Sequence, residues 1–281
     1  MLLLCYNHRK GKSDQNKTDL EKALHELWLQ LDSNGLCLRG IAQLDISDEK
    51  RLPPFLKQQL QATTNVATVT VVVVGHLGSR IWPSFSTSPE ASANLPHPLD
   101  AWSQRIGRAV ALRFPAPYGA VPVFPSDGPP YAPFLTWSQQ AIALETSPLG
   151  LQLDPVAGLW HAYRFALLIA NLPEPALQYL KAKQLEATGL IEDELLAPGC
   201  SQCQEQPCLS ACPVNAFQAN FYDMQSCADY LNDSLESQEA ACISQSCLAR
   251  RACPVGVAYT YEPAHRQFHM QAFMKAHKAT E

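Results

Sequence analysis

The sequence predicts an α+β protein in two parts, a mixed helix-and-strand domain followed by a cysteine module. Three observations lead there. Helical and strand periodicities follow one another without the regular alternation of a doubly wound sheet. The 281 residues are 47% hydrophobic and 17% charged, an ordinary folded composition with length for one large or two modest domains. Eight of the ten cysteines fall between Cys200 and Cys253. The boundaries that follow are an N-terminal extension at 1–18, a first domain at 19–190, the cysteine module at 196–261 and a C-terminal helix at 262–281.

Taken in order, Leu20, Leu24, Leu27, Trp28 and Leu31 recur at helical spacing, and Asn34-Gly35 supplies the stop. Cys37 to Leu44 reads as a strand and Pro54 to Leu60 as a short helix. Val66 to Val74, rich in Val and Thr, reads as a buried strand and is too short to cross a membrane. Several of the 22 prolines cluster between Pro83 and Pro133, so that region should be rich in loops. Within it, Pro98 opens a helix through Arg113, with Trp102, Ile106 and Val110 on one face. A further helix spans Pro133 to Leu144. Gly150 to Leu153 and Leu159 to Ile169 read as two strands joined through Asp154-Pro155-Val156-Ala157-Gly158. Alternate residues share a strand face, so Trp160, Ala162 and Arg164 would lie together. A helix over Ala176 to Thr188 leads towards the cysteines, and Glu262 to Lys278 forms the last. On that last helix His265, His269 and His277 read as a solvated face rather than metal ligands.

The cysteine module carries the chemistry. Its first group, Cys200, Cys203, Cys208 and Cys212, ends in Cys212-Pro213; the last, Cys242, Cys247 and Cys253, ends in Cys253-Pro254; Cys227 stands between them. Two groups that each end in Cys-Pro suit a pair of 4Fe-4S clusters, in which three close thiolates grip one cube and the cysteine before proline turns to the other. Eight thiolates give two complete sets with none left over. Structural zinc is the competing reading, since eight cysteines also make two four-thiolate sites, but zinc ligation does not call for the repeated Cys-Pro ending. Disulfides would need an oxidising compartment, of which the sequence gives no sign. The start, Met1 to Tyr6 followed by His8, Arg9 and Lys10, has its charges in the wrong order for a secretory signal, so a cytoplasmic location is expected. Cys5 and Cys37 stand apart from the module. Cys37 falls in an apolar strand pattern, where a free cysteine behaves as a small hydrophobe.

The formal net charge of −5 argues against a general nucleic-acid binder. Glu205, Asp223, Asp229, Asp233, Glu236, Glu239 and Glu262 face only Arg250 and Arg251 in the cysteine region, which suits docking to a basic redox partner protein. The chain shows no G-x-G-x-x-G loop, so direct use of a nicotinamide cofactor is not expected.

The paired Cys-Pro module, with Cys227-Ala228-Asp229-Tyr230-Leu231 between its halves, resembles the ferredoxin part of epoxyqueuosine reductases and reductive dehalogenases. The stretch Ser147 to Asp154-Pro155, with Gly158-Leu159-Trp160-His161-Ala162-Tyr163-Arg164, is similar to the cobalamin-processing decyanase family. His97-Pro98-Leu99-Asp100 resembles a segment of that family too. The resemblance implies a nitroreductase-like (flavin-reductase-like) N-terminal domain ahead of a bacterial ferredoxin-like dicluster module. It also implies a corrinoid (cobalamin) or flavin near Trp160 and Arg164 that takes single electrons from the clusters. A redox partner of the flavodoxin or ferredoxin-reductase type would supply them. Carried over residue by residue, Cys200, Cys203, Cys208 and Cys253 would hold one cluster and Cys212, Cys227, Cys242 and Cys247 the other. The chain departs from those families in spacing: Cys203 to Cys208 and Cys242 to Cys247 enclose four residues each, and Cys247 to Cys253 five, all longer than is usual. Asp127, in Pro125-Ser126-Asp127-Gly128-Pro129, lies where the reductases carry a catalytic aspartate, but Ser-Asp-Gly-Pro is by itself strong turn chemistry. The turn is the preferred reading. A plain dicluster ferredoxin, whose first domain binds no cofactor and serves for docking, is the alternative.

Overall fold

In a computed structural model, residues 3–61, 66–141, 144–188, 199–218, 221–237 and 241–277 are described. The chain divides into two compact units. The first comprises Met1–His76, Arg80–Ala143 and Ala162–Gly189; the second comprises Leu77–Ser79, Leu144–His161 and Leu190–Glu281. Two segments assigned by sequence to the first domain, Leu77–Ser79 and Leu144–His161, thus group with the cysteines, as does the C-terminal helix.

The elements are mixed, as an α+β chain requires. In order they are α1 (Leu3–Ser33), β1 (Cys37–Asp45), α2 (Pro54–Gln61), β2 (Thr68–Leu77), α3 (Trp82–Ser86), α4 (Pro89–Ser92), α5 (Pro98–Ala111), β3 (Ala120–Val123), α6 (Phe134–Ala141), β4 (Glu145–Thr146), β5 (Gln152–Leu153), β6 (His161–Ala170) and α7 (Glu174–Thr188). The cysteine region adds α8 (Pro207–Ser210), β7 (Phe217–Gln218), β8 (Phe221–Tyr222), α9 (Met224–Ser237), α10 (Ala241–Gln245), α11 (Leu248–Arg251) and α12 (Pro263–Ala276).

The first unit is built on a four-stranded sheet of order β1-β2-β6-β3, with β1 antiparallel to β2 and β3 antiparallel to β6. The valine run explains why helices cover both faces. Val69, Val71 and Val73 join Leu44, Val123, Ala166 and Leu168 under Leu56 and Leu60 of α2 and Phe134 and Trp137 of α6. The alternate set, Val72, Val74, Phe165, Leu167 and Ile169, is equally buried on the other face. There α5 comes close enough that a Cβ on Gly107 would meet the Phe124 and Phe165 rings at 2.8 and 3.1 Å. The Trp137 indole is satisfied by the Arg51 carbonyl at 2.7 Å, so its burial leaves no orphan donor. A register shift between Leu38 and Gly40 interrupts the β1–β2 ladder, and Arg39 at that point is 1% exposed.

In the second unit the strands are short, and the longer elements are the helices α9 and α12. β5 pairs with β4, and β7 with β8, each over two residues. The two strands predicted at Gly150–Leu153 and Leu159–Ile169 pair at one rung only, the antiparallel bridge of Asp154 with Gly158, whose backbones exchange two 2.8 Å bonds. Asp154 Oδ1 braces that turn by accepting the Val156 and Ala157 N–H groups at 2.9 and 2.7 Å. Beyond the rung β5 pairs with β4, and β6 lies between β2 and β3.

Candidate metal centre

The short helices of the second unit are cut to the cysteine spacing. Pro207 opens α8 at its first turn, Cys208 sits inside it, and Ala211 caps it just before Cys212-Pro213. In the same way α11 starts after Cys247 and ends at Ala252, before Cys253-Pro254. A proline after each cysteine lacks the N–H needed to continue the helix, so each chain turns away there. The helices α8 and α11 pack together. A small apolar core of Leu149, Leu153, Leu159, Ala216 and Ala249 surrounds Cys208, Cys212 and Cys253.

The cysteines line two cavities. Cys200, Cys203, Cys208 and Cys253 line one, with Leu153, Leu159 and Pro254. Cys212, Cys227, Cys242 and Cys247 line the other, with Phe217, Leu231 and Met270. Each cavity takes three cysteines that follow one another along the chain, Cys227, Cys242 and Cys247 in the second case, and one Cys-Pro cysteine from the other group. None of the eight is in a disulfide. Among the described residues no three His, Cys, Asp or Glu side chains close on a single point where one metal ion would sit.

Four of the eight thiols, Cys208, Cys212, Cys242 and Cys253, are buried and the other four are partly buried. The Ala216 N–H donates to Cys212 Sγ at 3.3 Å. Burial first, and then neighbouring cysteines, push the Cys200 and Cys247 thiols up to about 11. Burial also raises the thiols of Cys208, Cys227, Cys242 and Cys253. At neutral pH such thiols are protonated, and a metal that binds them displaces the proton.

Outside the cavities, several residues differ from their sequence reading. Trp160 precedes β6 rather than lying on it, is 1% exposed, and is enclosed by the Tyr261 ring at 5.3 Å and the Arg250 guanidinium at 4.4 Å. Arg250 also donates from Nε and Nη2 to the Leu159 carbonyl, at 3.0 and 2.5 Å. Arg164 is half-buried on β6, in the first unit. Asp127 is exposed in a turn closed by its N–H on the Phe124 carbonyl at 3.1 Å. The histidines of α12 correct the expectation of a solvated face. His265 is 0% exposed, with its Nδ1 3.0 Å from Ser79 Oγ and its Nε2 3.1 Å from His269 Nε2. Tyr261 stacks on it with centroids 4.1 Å apart. Cys37 is buried on β1, while the Cys5 side chain lies outside the described residues. Sequence reasoning missed the β7–β8 hairpin and Tyr222; the one available signal was the aromatic pair Phe221-Tyr222 just ahead of Cys227. No helix among the described residues is long and apolar enough to cross a membrane.

No protein-family model and no curated protein matches this chain. Among solved structures it is similar to epoxyqueuosine reductase from Streptococcus thermophilus, at 12% identity and a TM-score of 0.41, covering 85% of this chain. It spans 66% of that structure's chain, just under two thirds.

Proposed function

We propose that this protein is an electron-transfer protein carrying two 4Fe-4S clusters, one held by Cys200, Cys203, Cys208 and Cys253 and the other by Cys212, Cys227, Cys242 and Cys247. The observation that carries the reading is the pair of separate cavities, each lined by four of the eight thiols. The donor set suits the group: four sulfurs per cavity, an apolar lining, and a backbone N–H, that of Ala216, on Cys212 Sγ, the features that tune such clusters.

When bound, the clusters supply one-electron chemistry. The chain's own part is to hold the sulfurs, exclude water through Leu153, Leu159, Leu231 and Met270, and set the energy of the added charge. Exposed Glu205, Asp229 and Asp233 give the cysteine unit an acidic surface for docking a basic redox partner. The test is anaerobic purification with iron and sulfide analysis and a visible spectrum. About eight iron and eight sulfide per chain are expected from two cubanes; stoichiometric zinc without sulfide ends the reading.

A second reading, in which the electrons pass to a corrinoid or flavin in the first unit, would make the protein a reductase. The observation that favours it is a cavity of about 510 Å³ in that unit, between Lys17, Leu24, Tyr118 and Tyr179. Trp160 and Arg164 do not line it. Trp160 is enclosed by side chains of its own unit, so nothing in the cavity's donor set singles out either group. Cobalt and flavin analysis of the same preparation tests this reading: either cofactor at one per chain supports it, and neither present leaves the plain dicluster protein.

A further inference from the structure

Ser147 lines the first cavity together with Cys200, Cys203, Cys208 and Cys253. The residue is 5% exposed, and its Oγ, shielded from solvent, has no hydrogen-bond partner among the described residues. Its backbone is fixed on both sides. The Ser147 N–H donates to the Leu151 carbonyl at 2.7 Å, and the Ser147 carbonyl accepts the Gly150 N–H at 2.9 Å. Gly150 closes this turn with a left-handed φ of 73°. Leu149 and Leu153 are buried in the apolar cluster that contains Cys208 and Cys253, which anchors the turn against the cysteines. The hydroxyl is the one polar group that Ser147 has left to offer the cavity.

A serine in a turn ordinarily satisfies its own hydroxyl, on a backbone group two or three residues away or on water. Here the Gly150 N–H is taken by the main-chain carbonyl, and burial keeps solvent from the oxygen. A buried hydroxyl without a partner destabilises the fold, and alanine would fill the same space without that penalty. Beside the cysteines, the only other polar side chain in the lining is Gln206, which is half-buried and can turn to water. None of the four cysteine sulfurs is a hydrogen-bond partner of Ser147 Oγ. The acceptor that fits is therefore the group they would enclose, a 4Fe-4S cube whose sulfides face outwards between the thiolates.

We infer that the Ser147 hydroxyl donates a hydrogen bond to a sulfide of the cluster held by Cys200, Cys203, Cys208 and Cys253, and so raises the potential at which that cluster is reduced. The inference rests on the iron–sulfur reading above. Reduction adds one electron and no proton, so the negative charge on iron, sulfide and thiolate grows by one. A hydrogen bond donated to sulfur strengthens with that charge and favours the reduced state. The lining of the second cavity includes no serine or threonine, so the effect belongs to the first cluster.

The experiment is a paramagnetic-resonance redox titration, with dithionite as reductant, of the anaerobically reconstituted full chain as wild type and Ser147→Ala. The signal that Cys200→Ser removes identifies the first cluster. Ser147→Ala deletes one oxygen and keeps both backbone bonds of the turn. The midpoint of the first cluster should fall and the other should stay. At a fixed potential the oxidised-to-reduced ratio of the first cluster should rise roughly threefold to tenfold, tenfold being about 59 mV for one electron. Electron–nuclear double resonance on reduced wild type, before and after exchange into deuterium oxide, should show an exchangeable proton coupled to that cluster, and Ser147→Ala should lose that coupling. The wild-type measurement stands by itself: with no exchangeable coupling at the first cluster the inference is wrong, however well the variant loads. If wild type carries iron and sulfide but Ser147→Ala leaves the first midpoint in place, raises it, or moves both midpoints equally, the inference is wrong and the iron–sulfur reading stands. If wild type binds no iron and sulfide, both fall.

Discussion

Gly158 and Gly256 lie backbone to backbone. A Cβ on Gly256 would fall 2.1 Å from the Ala157 carbonyl carbon and 2.4 Å from the Gly158 nitrogen, and one on Gly158 would fall 2.0 Å from the Val255 oxygen. Both adopt left-handed backbone, at φ of 59° and 72°. This contact brings the Asp154 turn against the chain that has just left Cys253-Pro254, where Val255 lines the same cavity as Cys253. Gly256→Ala should therefore destabilise the second unit and loosen the first cluster. Gly150→Ala is the control, since Gly150 has φ 73° but nothing within 4 Å of its Cβ. The control isolates the conformational cost, about 1–2 kcal/mol; Gly256→Ala should exceed it in thermal unfolding and lose iron first. Equal melting temperatures and equal iron content would show that the close approach is unimportant.

Cys37 stands outside the module on β1 and is 3% exposed. Cys37→Ala removes only the sulfur of a small buried side chain, so a cost of about 1 kcal/mol and a full complement of iron are expected. Adding Cys5→Ser should change nothing further in the iron count. Loss of a cluster in either variant would mean that the ligands are misassigned.

The long, strongly patterned elements were legible from residues alone. Pro98 with Trp102, Ile106 and Val110 marked α5, and the valine run marked β2, because periodic burial leaves a trace in every turn or pair. The grouping of the eight cysteines was legible because their spacing repeats, each group ending in Cys-Pro, and the structure gathers them four to a cavity. The misreadings share a cause, which is partners far apart in sequence. His265 sits on a helix whose tail is polar, yet Ser79 and Tyr261 bury it. β3 lies in a proline-rich stretch, and its strand character comes from pairing with β6. The β7–β8 hairpin, with two residues in each strand, is too short to show a period at all. Its place beside the cysteines shows only in the structure, where the Ala216 N–H just ahead of it meets Cys212 Sγ.

The His265 imidazole joins α12 to Ser79, whose Oγ also accepts the Glu262 N–H at 2.7 Å. Removing the ring leaves a buried hole under Tyr261 and strips the hydroxyl of one partner. His265→Ala should cost about 2–4 kcal/mol, read as a fall of the melting temperature. His277→Ala, near the end of the helix, should cost well under half as much. A melting temperature unchanged by His265→Ala would restore the solvated-face reading.

Cluster uptake should depend on pH in a fixed direction. Cys200 and Cys247, with thiols pushed up to about 11, are protonated at neutral pH and must lose that proton to bind iron. Below its pKa, the thiolate fraction of each such group grows about tenfold per pH unit. Anaerobic reconstitution followed by visible absorbance should therefore be faster at pH 8 than at pH 7, with proton release accompanying it. A rate flat across that interval would mean that these thiols are already ionised.

The last prediction concerns which cluster each Cys-Pro cysteine serves. Cys212 follows Cys208 by four residues. It nevertheless lines the cavity of Cys227, Cys242 and Cys247, while Cys253 lines that of Cys200, Cys203 and Cys208. The geometry has a simple origin. A short loop can wrap three thiolates round one side of a cube, and a proline after the fourth then carries the chain elsewhere. Cys212→Ser should thus damage the cluster of Cys227, Cys242 and Cys247, matching Cys242→Ser. Cys253→Ser should match Cys200→Ser. Because each crossing cysteine ties the two halves together, its loss should also destabilise the whole module rather than half of it. Paramagnetic resonance on the four reduced variants decides the matter. If Cys212→Ser abolishes the same signal as Cys200→Ser while Cys242→Ser spares it, each group closes on itself and the crossed assignment is wrong.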